Sequence, residues 1–264
     1  MDLEKICGEV KSLAEQTGEF LLREQSRLNI DGIEEKSANN YVTYVDKESE
    51  KKLVEGLKKI FPDAGFITEE GTASMDGQEY AWIIDPIDGT SNFIHGLNLF
   101  CISIALVKGN EALVGVIYDP ASGECFYTRK GGQAYLNGAE IRTNKTIGYD
   151  KAMIGYDMPY RENWNIFPLM PVLDELFERG ACRQLGTAAL AMAYVACGRY
   201  DAYFHCKLNA WDMAAGGLLI RQAGGIVSDF NGREDFIFGE NVICGAPLVF
   251  DPLKALIQRV GNIG

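Results

Sequence analysis

The chain has 264 residues, and with 47% hydrophobic residues it can bury one large core or the cores of two closely fused domains. Its 25 Lys and Arg against 37 Asp and Glu give a formal net charge of −12, so bulk electrostatics argue against a nucleic-acid or anionic-membrane partner, and we expect neither. The seven cysteines include no C-x-x-C pair, which predicts free core thiols rather than a disulfide framework or a zinc finger.

The amino-terminal segment is predicted to be an amphipathic helix rather than a targeting signal. Apolar residues recur at three- and four-residue steps from Leu3 to Leu21. Charged residues lie among them where a signal peptide would be apolar, and the sequence has no run of roughly 18 apolar residues. We therefore expect a cytoplasmic protein.

A second helix is predicted over the segment that ends at Ile60, before Pro62. Asn39 and Asn40 indicate a loop, and residues 41–45 a short strand that leads into Asp46. The simplest interpretation of Asp46 is the N-cap of this helix, although a functional role stays open.

The apolar run over residues 81–84 predicts a buried strand that ends in two acids, Asp85 and Asp88. Two like charges about 4 Å apart repel by roughly 4 kcal/mol at an effective dielectric near 20, and a divalent cation with oxygen ligands is the simplest partner for them. Gly89 and Thr90 follow with unhindered N–H groups, which favour a phosphate if a helical turn begins there. Metal and phosphate are therefore predicted to share one loop.

The pattern changes to β from Phe100 to Thr128, where short turns between apolar runs predict an antiparallel meander. Beyond about residue 145 helices and strands alternate, with predicted helices over 187–197 and 211–223, strands over 200–205, 226–230 and 241–246, and a closing helix. The sequence predicts an α+β protein with an N-terminal domain of residues 1–145 and a C-terminal domain of residues 146–264. Since no linker-like composition separates them, we expect the two to pack tightly.

Acidic residues occur at three further places, namely Asp46, the pair Glu69-Glu70, and Asp212. Each has an ordinary structural interpretation, as a helix cap or a solvated turn. The Asp85/Asp88 pair is harder to explain in that way because an apolar strand precedes it and a glycine that permits close approach follows it.

Two segments resemble the signatures of the inositol monophosphatase family, the lithium-sensitive, magnesium-dependent phosphomonoesterases related to fructose-1,6-bisphosphatase. They are residues 82–93, and residues 211–217 together with 223–225. The likeness runs from about Lys36 to Phe230. It implies an αβαβα layered sandwich of the sugar-phosphatase type, with an antiparallel N-terminal sheet and a C-terminal half closer to α/β, and it implies a homodimer.

The resemblance implies two Mg²⁺ sites. Glu69, Asp85 and the carbonyl of Ile87 would hold one ion, and Asp85 with Asp88 and Asp212 would hold the second. A third, weaker ion near Glu69 is implied by the same analogy. Oxygen-only ligand sets of this kind suit a hard divalent ion.

The resemblance also implies catalytic roles for Asp46, Glu69 and Thr90. Thr90 with Asp46 would orient the attacking water and accept its proton, while the N–H groups of Gly89 and Thr90 would bind the phosphate.

For the substrate, the resemblance implies contacts from Asp88 and Asp212 and from the segment Gly186-Thr187-Ala188, whose backbone and hydroxyl groups would touch a sugar ring. We expect hydrolysis of inositol 1-phosphate or a similar small polyol phosphate. Alternatives are a phosphatase for fructose 1,6-bisphosphate, histidinol phosphate or adenosine 3′,5′-bisphosphate, and a non-catalytic binding protein on the same fold.

One position departs from the family pattern. His205 lies seven residues before Asp212, where inositol-preferring members carry a glutamate that accepts hydrogen bonds from ring hydroxyls. A neutral imidazole can accept one such bond, whereas a protonated one would favour an anion. The alternative is that His205 ends a strand and has no contact with the substrate.

Overall fold

The structure, a computed structural model, describes residues 1–27, 33–37, 40–158, 169–179 and 181–260. Its helices are α1 (Leu3–Gln25), α2 (Tyr44–Ile60), α3 (Thr90–Ile94), α4 (Met170–Arg179), α5 (Ala188–Ala196), α6 (Ala210–Gln222) and α7 (Pro247–Val260). Its strands are β1 (Ile33–Ser37), β2 (Asn40–Thr43), β3 (Ala64–Thr68), β4 (Tyr80–Asp88), β5 (Cys101–Lys108), β6 (Glu111–Asp119), β7 (Glu124–Arg129), β8 (Ala134–Leu136), β9 (Ala139–Ile141), β10 (Ile154–Tyr156), β11 (Cys182–Arg183), β12 (Ala202–Cys206), β13 (Ile226–Ser228) and β14 (Asn241–Gly245).

The larger sheet contains seven strands in the order in which they occur in the chain, from β3 to β9. The predicted meander is confirmed, because β4 to β9 pair as consecutive antiparallel neighbours. The prediction of a wholly antiparallel sheet is wrong at one edge, where β3 pairs with β4 in parallel. A parallel pair requires the chain to return to the end of the sheet at which β3 begins, and the connection over residues 69–79 is long enough to do so.

The smaller sheet belongs to the C-terminal half and is mixed. Its strand order is β11-β10-β12-β14-β13. β10 runs parallel to both of its neighbours, whereas β14 is antiparallel to β12 and β13. The predicted strands near residues 200, 226 and 241 are thus present and share this sheet.

The layers alternate in the predicted αβαβα order. Helices α1 and α2 cover the outer face of the larger sheet, where Trp82 and Ile84 share a core with Val10 and Leu53. Helices α5 and α6 fill the space between the two sheets, and α4 and α7 cover the far face of the smaller one. The fold class is confirmed.

A single apolar cluster joins the two halves of the chain. Ile83 and Ala105 of the larger sheet belong to the same cluster as Leu190 of α5 and Met213 of α6. The tight packing expected between the halves is present, and the division near residue 145 stays a prediction. Of the predicted loop residues, Asn40 opens β2 and Asn39 lies outside the described residues.

The structure has no disulfide bond among its cysteines. All seven cysteines are free thiols. Within the described ranges, no helix combines the length and the apolar character needed to span a membrane.

The close approach of α6 to the larger sheet predicts a stability difference between two Gly→Ala variants. A Cβ at Gly115 of β6 would lie 2.9 Å from the carbonyl oxygen of Ala215 in α6, whereas a Cβ at Gly8 of α1 would meet nothing within 4 Å. We expect Gly115→Ala to lower the free energy of unfolding by about 1–3 kcal/mol through overpacking. Gly8→Ala should raise it by about 0.5–1 kcal/mol. Urea denaturation midpoints measure both, and equal midpoints would contradict the assigned packing of α6.

Candidate active site

An irregularity in β4 places two acids at the end of the buried strand. The pairing of β4 with β5 shifts register between Asp85 and Asp88. The N–H of Ile87 turns back and donates to Asp85 Oδ1 at 2.9 Å. Such bulges change the direction in which side chains point, and here the strand end lines a cleft of about 570 Å³ between the two halves of the chain.

Three carboxylates converge in this cleft. Oxygen atoms of Asp85, Asp88 and Asp212 lie within 4.8 Å of one another, and the three residues are only 2%, 8% and 9% exposed. Asp212 is the third residue of α6, where its Oδ2 also accepts from the N–H of Asn209 at 2.7 Å. The two interpretations of Asp212, helix capping and membership of an acidic site, are therefore compatible.

The pKa of Asp85 is raised by its burial and by the neighbouring acids. Burial raises the pKa of Asp85 well above its usual value, and the charges of Glu69, Asp88 and Asp212 raise it further. Like-charged groups held this closely favour either protonation or a bound cation. The donor atoms are all oxygen, which fits a hard divalent ion such as Mg²⁺.

The N-terminus of α5 holds the second acid. Asp88 Oδ2 accepts from the hydroxyl of Thr187 at 2.6 Å and from the N–H of Ala189 at 2.7 Å. Burial raises the pKa of Asp88, and these hydrogen bonds oppose the rise. The Thr187 side chain, 1% exposed, is therefore engaged with Asp88. This differs from the sugar-ring contact expected of its hydroxyl, and the backbone contacts of this segment stay a prediction.

Thr90 and Asp46 lie in contact, as the predicted catalytic pair requires. The Thr90 hydroxyl lies 3.2 Å from Asp46 Oδ1 and 3.0 Å from the carbonyl oxygen of Ile87. Gly89 has a φ of 95°, and a Cβ there would lie 3.0 Å from the carbonyl oxygen of Leu99. Only glycine fits this left-handed, crowded position, which begins the short helix α3.

The interpretation of Asp46 as an N-cap is wrong. The helix begins at Tyr44 and its N-cap is Thr43, so the preceding strand ends at residue 43 and not at 45. Asp46 is the third helical residue, and its Oδ2 reaches back to the N–H of Thr43 at 2.8 Å and to its hydroxyl at 2.7 Å. This reciprocal arrangement is a capping box, and it leaves Oδ1 directed at Thr90.

The neighbouring acids Glu69 and Glu70 differ in position, because only Glu69 is among the residues that line the cleft. Glu69 lines the cleft with Asp85, and its role as a metal ligand stays a prediction. The main chain around them is held by Glu50, a fully buried acid of α2 that sequence reasoning missed. Its carboxylate accepts from the N–H groups of Glu70 at 2.7 Å and Thr72 at 2.8 Å.

His205 lies at the end of β12, and this strand end belongs to the cleft; a contact of His205 with the substrate stays a prediction. The residue lines the cleft with Gly186 and Ala188, and it is 7% exposed. Burial lowers the pKa of His205 to about 4, so the imidazole is neutral at pH 7. Nδ1 lies 2.6 Å from the carbonyl oxygen of Cys206 and donates to it, which leaves Nε2 as an acceptor. The cationic alternative for His205 is thereby removed.

Asp157 is a cleft residue that sequence reasoning missed. It follows β10 directly, and its Oδ1 accepts from the N–H of Gly186 at 2.9 Å while Oδ2 accepts from the hydroxyl of Tyr203 at 3.2 Å. Burial raises the pKa of Asp157 to about 7. The signal was available, because an acid at the end of an apolar strand is the feature that marked Asp85.

Comparisons with known proteins show to which proteins the whole chain is similar. Residues 2–261 match the sequence model of the inositol monophosphatase family. The chain is 38% identical over 251 residues to the Nus factor SuhB of Pseudomonas aeruginosa, with 93% of each chain covered. It is 39% identical over 228 residues to the inositol-1-monophosphatase of Mesorhizobium japonicum, covering 85% of this chain and 84% of the relative. The solved structure of an IMPase from Thermotoga maritima is 33% identical, with a TM-score of 0.85 and 95% of each chain covered.

The buried neutral His205 predicts a loss of stability in acid. Its pKa is lowered from 6.5 to about 4 on folding, so only the unfolded chain binds this proton between those values. Stability is therefore complete above pH 6.5 and falls as the pH is lowered toward 4. From pH 7 to pH 5 we expect His205 to account for a loss of about 2 kcal/mol in the free energy of unfolding.

Urea denaturation of the wild type and His205→Gln at both pH values measures this contribution. The glutamine variant should lose less stability than the wild type over the same interval. The matched control is His95→Gln, which removes the exposed imidazole and should behave as the wild type does. Identical losses in all three proteins would contradict a neutral, buried His205.

Proposed function

The chain belongs to the inositol monophosphatase family, and on that premise we propose that it is a Mg²⁺-dependent phosphomonoesterase that hydrolyses inositol 1-phosphate or a similar small polyol phosphate. The observation that carries this proposal is the convergence of Asp85, Asp88 and Asp212 within 4.8 Å at the floor of a cleft. Like charges placed together in a buried setting need positive charge, and a phosphate ester needs it as well.

The residues present fit the two expected ions. Glu69, Asp85 and the carbonyl of Ile87 would hold the first, and Asp85, Asp88 and Asp212 the second; a third weaker ion near Glu69 completes the proposal. When bound, such ions supply the positive charge that acidifies a water molecule and stabilises both the phosphate and the departing alkoxide. Inhibition by Li⁺ belongs to the same proposal.

Thr90 and Asp46 would position the attacking water and take its proton. If the Thr90 hydroxyl donates to Asp46 Oδ1 over the observed 3.2 Å, its oxygen can accept a hydrogen bond from water. The proton can then pass through the hydroxyl to the carboxylate while the water oxygen attacks phosphorus. The N–H groups of Gly89 and Thr90, at the start of α3, would bind the phosphate oxygens.

The relatives carry two different names, Nus factor SuhB and inositol-1-monophosphatase. Sequence identity does not decide between them, since the values are 38% and 39%. The site favours catalysis. A non-catalytic binding protein would be free to lose Glu69, which is present and lies beside Asp85. A homodimer in the cytoplasm, with no nucleic-acid or membrane partner, completes the proposal.

The proposed metal ligands predict a contrast between two acids. Asp85→Asn removes a charge shared by both ions, and we expect kcat to fall by at least about 10³. Glu70→Gln, the matched control next to Glu69, should change kcat far less. Phosphate release from inositol 1-phosphate at a series of Mg²⁺ concentrations measures both. Comparable losses in the two variants would mean that the wrong glutamate was chosen.

The neutral imidazole in the cleft predicts a change of substrate preference. His205→Glu introduces a carboxylate that accepts hydrogen bonds from ring hydroxyls and repels a second phosphate. We expect the kcat/KM preference for inositol 1-phosphate over fructose 1,6-bisphosphate to rise by roughly 10- to 100-fold. His205→Gln is the uncharged control and should leave the preference within a few-fold of wild type. An unchanged ranking in both variants would place His205 outside the substrate's reach.

A further inference from the structure

Asp157 is a nearly buried carboxylate of the cleft that does not belong to the acid cluster. It is 7% exposed and lines the cleft together with His205 and Gly186. The parallel strands β10 and β12 pair Tyr156 with Phe204. The next position on each strand therefore brings Asp157 beside His205, on the same face of the smaller sheet.

The hydrogen bonds of Asp157 leave part of the acceptor capacity of its carboxylate unused. Oδ1 accepts from the Gly186 N–H and Oδ2 from the Tyr203 hydroxyl, and neither donor is charged. A carboxylate offers about four lone-pair sites, and the N–H of Leu185 is a third donor to this one, so one site remains. Since Asp157 lines the cleft, this acceptor is available to a ligand bound there.

His205 adds a second acceptor of the same kind. Since its Nδ1–H donates to the carbonyl oxygen of Cys206, the neutral ring presents an unprotonated Nε2. Asp157 and His205 therefore form an acceptor pair. Such a pair binds a ligand that brings neighbouring hydrogen-bond donors. Above the Asp157 pKa of about 7, the carboxylate charge also disfavours a ligand that brings a second anionic group.

We propose that Asp157 is a specificity-determining residue that accepts hydrogen bonds from the hydroxyl groups of the substrate's alcohol and excludes esters with a second phosphate at that end. The substrate class is then the monophosphate esters of polyols with neighbouring hydroxyls. This inference deepens the proposed function and rests on it.

A merely structural role for Asp157 would have a different signature. Its bond to Gly186 holds the residue before Thr187, and Thr187 in turn donates to Asp88. Disturbing these contacts would lower kcat/KM for every substrate by a similar factor. Loss of a hydroxyl acceptor impairs only the substrates that carry those hydroxyls.

The test compares Asp157→Asn with Asp201→Asn. The amide keeps the size of the side chain and an oxygen that can accept from Gly186. Asp201 is the matched control, since it is 5% exposed and accepts from the N–H of Met153 at 2.7 Å but does not line the cleft. The substrates are inositol 1-phosphate, fructose 1,6-bisphosphate, and phenyl phosphate, which has no free hydroxyl. They are assayed well above the Asp157 pKa of about 7, so that the wild-type carboxylate is ionised.

For Asp157→Asn we expect kcat/KM for inositol 1-phosphate to fall roughly 10- to 100-fold, mainly through KM. The value for phenyl phosphate should stay within about threefold, as the ester lacks the hydroxyls that the acceptor recognises, and that for the bisphosphate should rise. Asp201→Asn should leave kcat/KM for all three substrates unchanged. Equal losses on inositol 1-phosphate and phenyl phosphate would overturn the proposal in favour of a structural role.

Asp157→Glu provides a second variant if the amide variant does not fold. It keeps the charge while moving the acceptor, so it should retain the rejection of the bisphosphate and lose preference for inositol 1-phosphate. Acceptance of the bisphosphate by this variant would overturn the proposal.

Calorimetric binding of inositol 1-phosphate and phenyl phosphate separates this inference from the proposed function. Suppose that the wild type releases no phosphate, and that Asp157→Asn weakens the binding of inositol 1-phosphate but not that of phenyl phosphate. The proposed activity then fails and the role of Asp157 stands. If the wild type is active and the two ligands bind both proteins with unchanged preference, the role of Asp157 fails and the activity stands.

Discussion

Mutual repulsion among buried carboxylates is the constraint on which the rest of this structure depends. Asp85, Asp88 and Asp212 converge in surroundings that disfavour charge, and Glu69 adds to the same field. Holding them together requires rigid support from distant parts of the chain. The bulge of β4, the N-terminus of α5 and the first turn of α6 provide it, each through hydrogen bonds to a carboxylate or its neighbours.

The layered fold makes that support available. The two middle helices are rich in alanine and glycine, so their backbones approach the larger sheet closely enough to place their first turns at the end of β4. Both halves of the chain therefore contribute acids to one cleft. In the proposed function the phosphate binds around Gly89 and Thr90 and the alcohol lies toward Asp157 and His205, and all four residues line this cleft.

The sequence predicted the features that depend on neighbouring residues. The amphipathic α1, the meander and the acids at the end of β4 follow from periodicity and from turn residues, and all are present. It could not show which partner each side chain would meet across the fold. The contact of Thr187 with Asp88 joins residues 99 positions apart, and that of Asp157 with Tyr203 joins residues 46 apart. Such contacts depend on how helices and sheets dock, which local patterns do not encode.

Asp46 and Asp212 share one more property, since each is the third residue of a helix and reaches back to the N–H of its N-cap. Polar groups gathered for catalysis commonly reduce the stability of an enzyme, so replacing them often makes the fold more robust. Here the same carboxylates secure the starts of α2 and α6, an interaction worth about 0.5–2 kcal/mol at helix termini. Under the proposed function, replacing either acid would remove both a group of the active site and this anchorage of its helix. A variant that loses the proposed activity through replacement of Asp46 or Asp212 would therefore gain little stability in return.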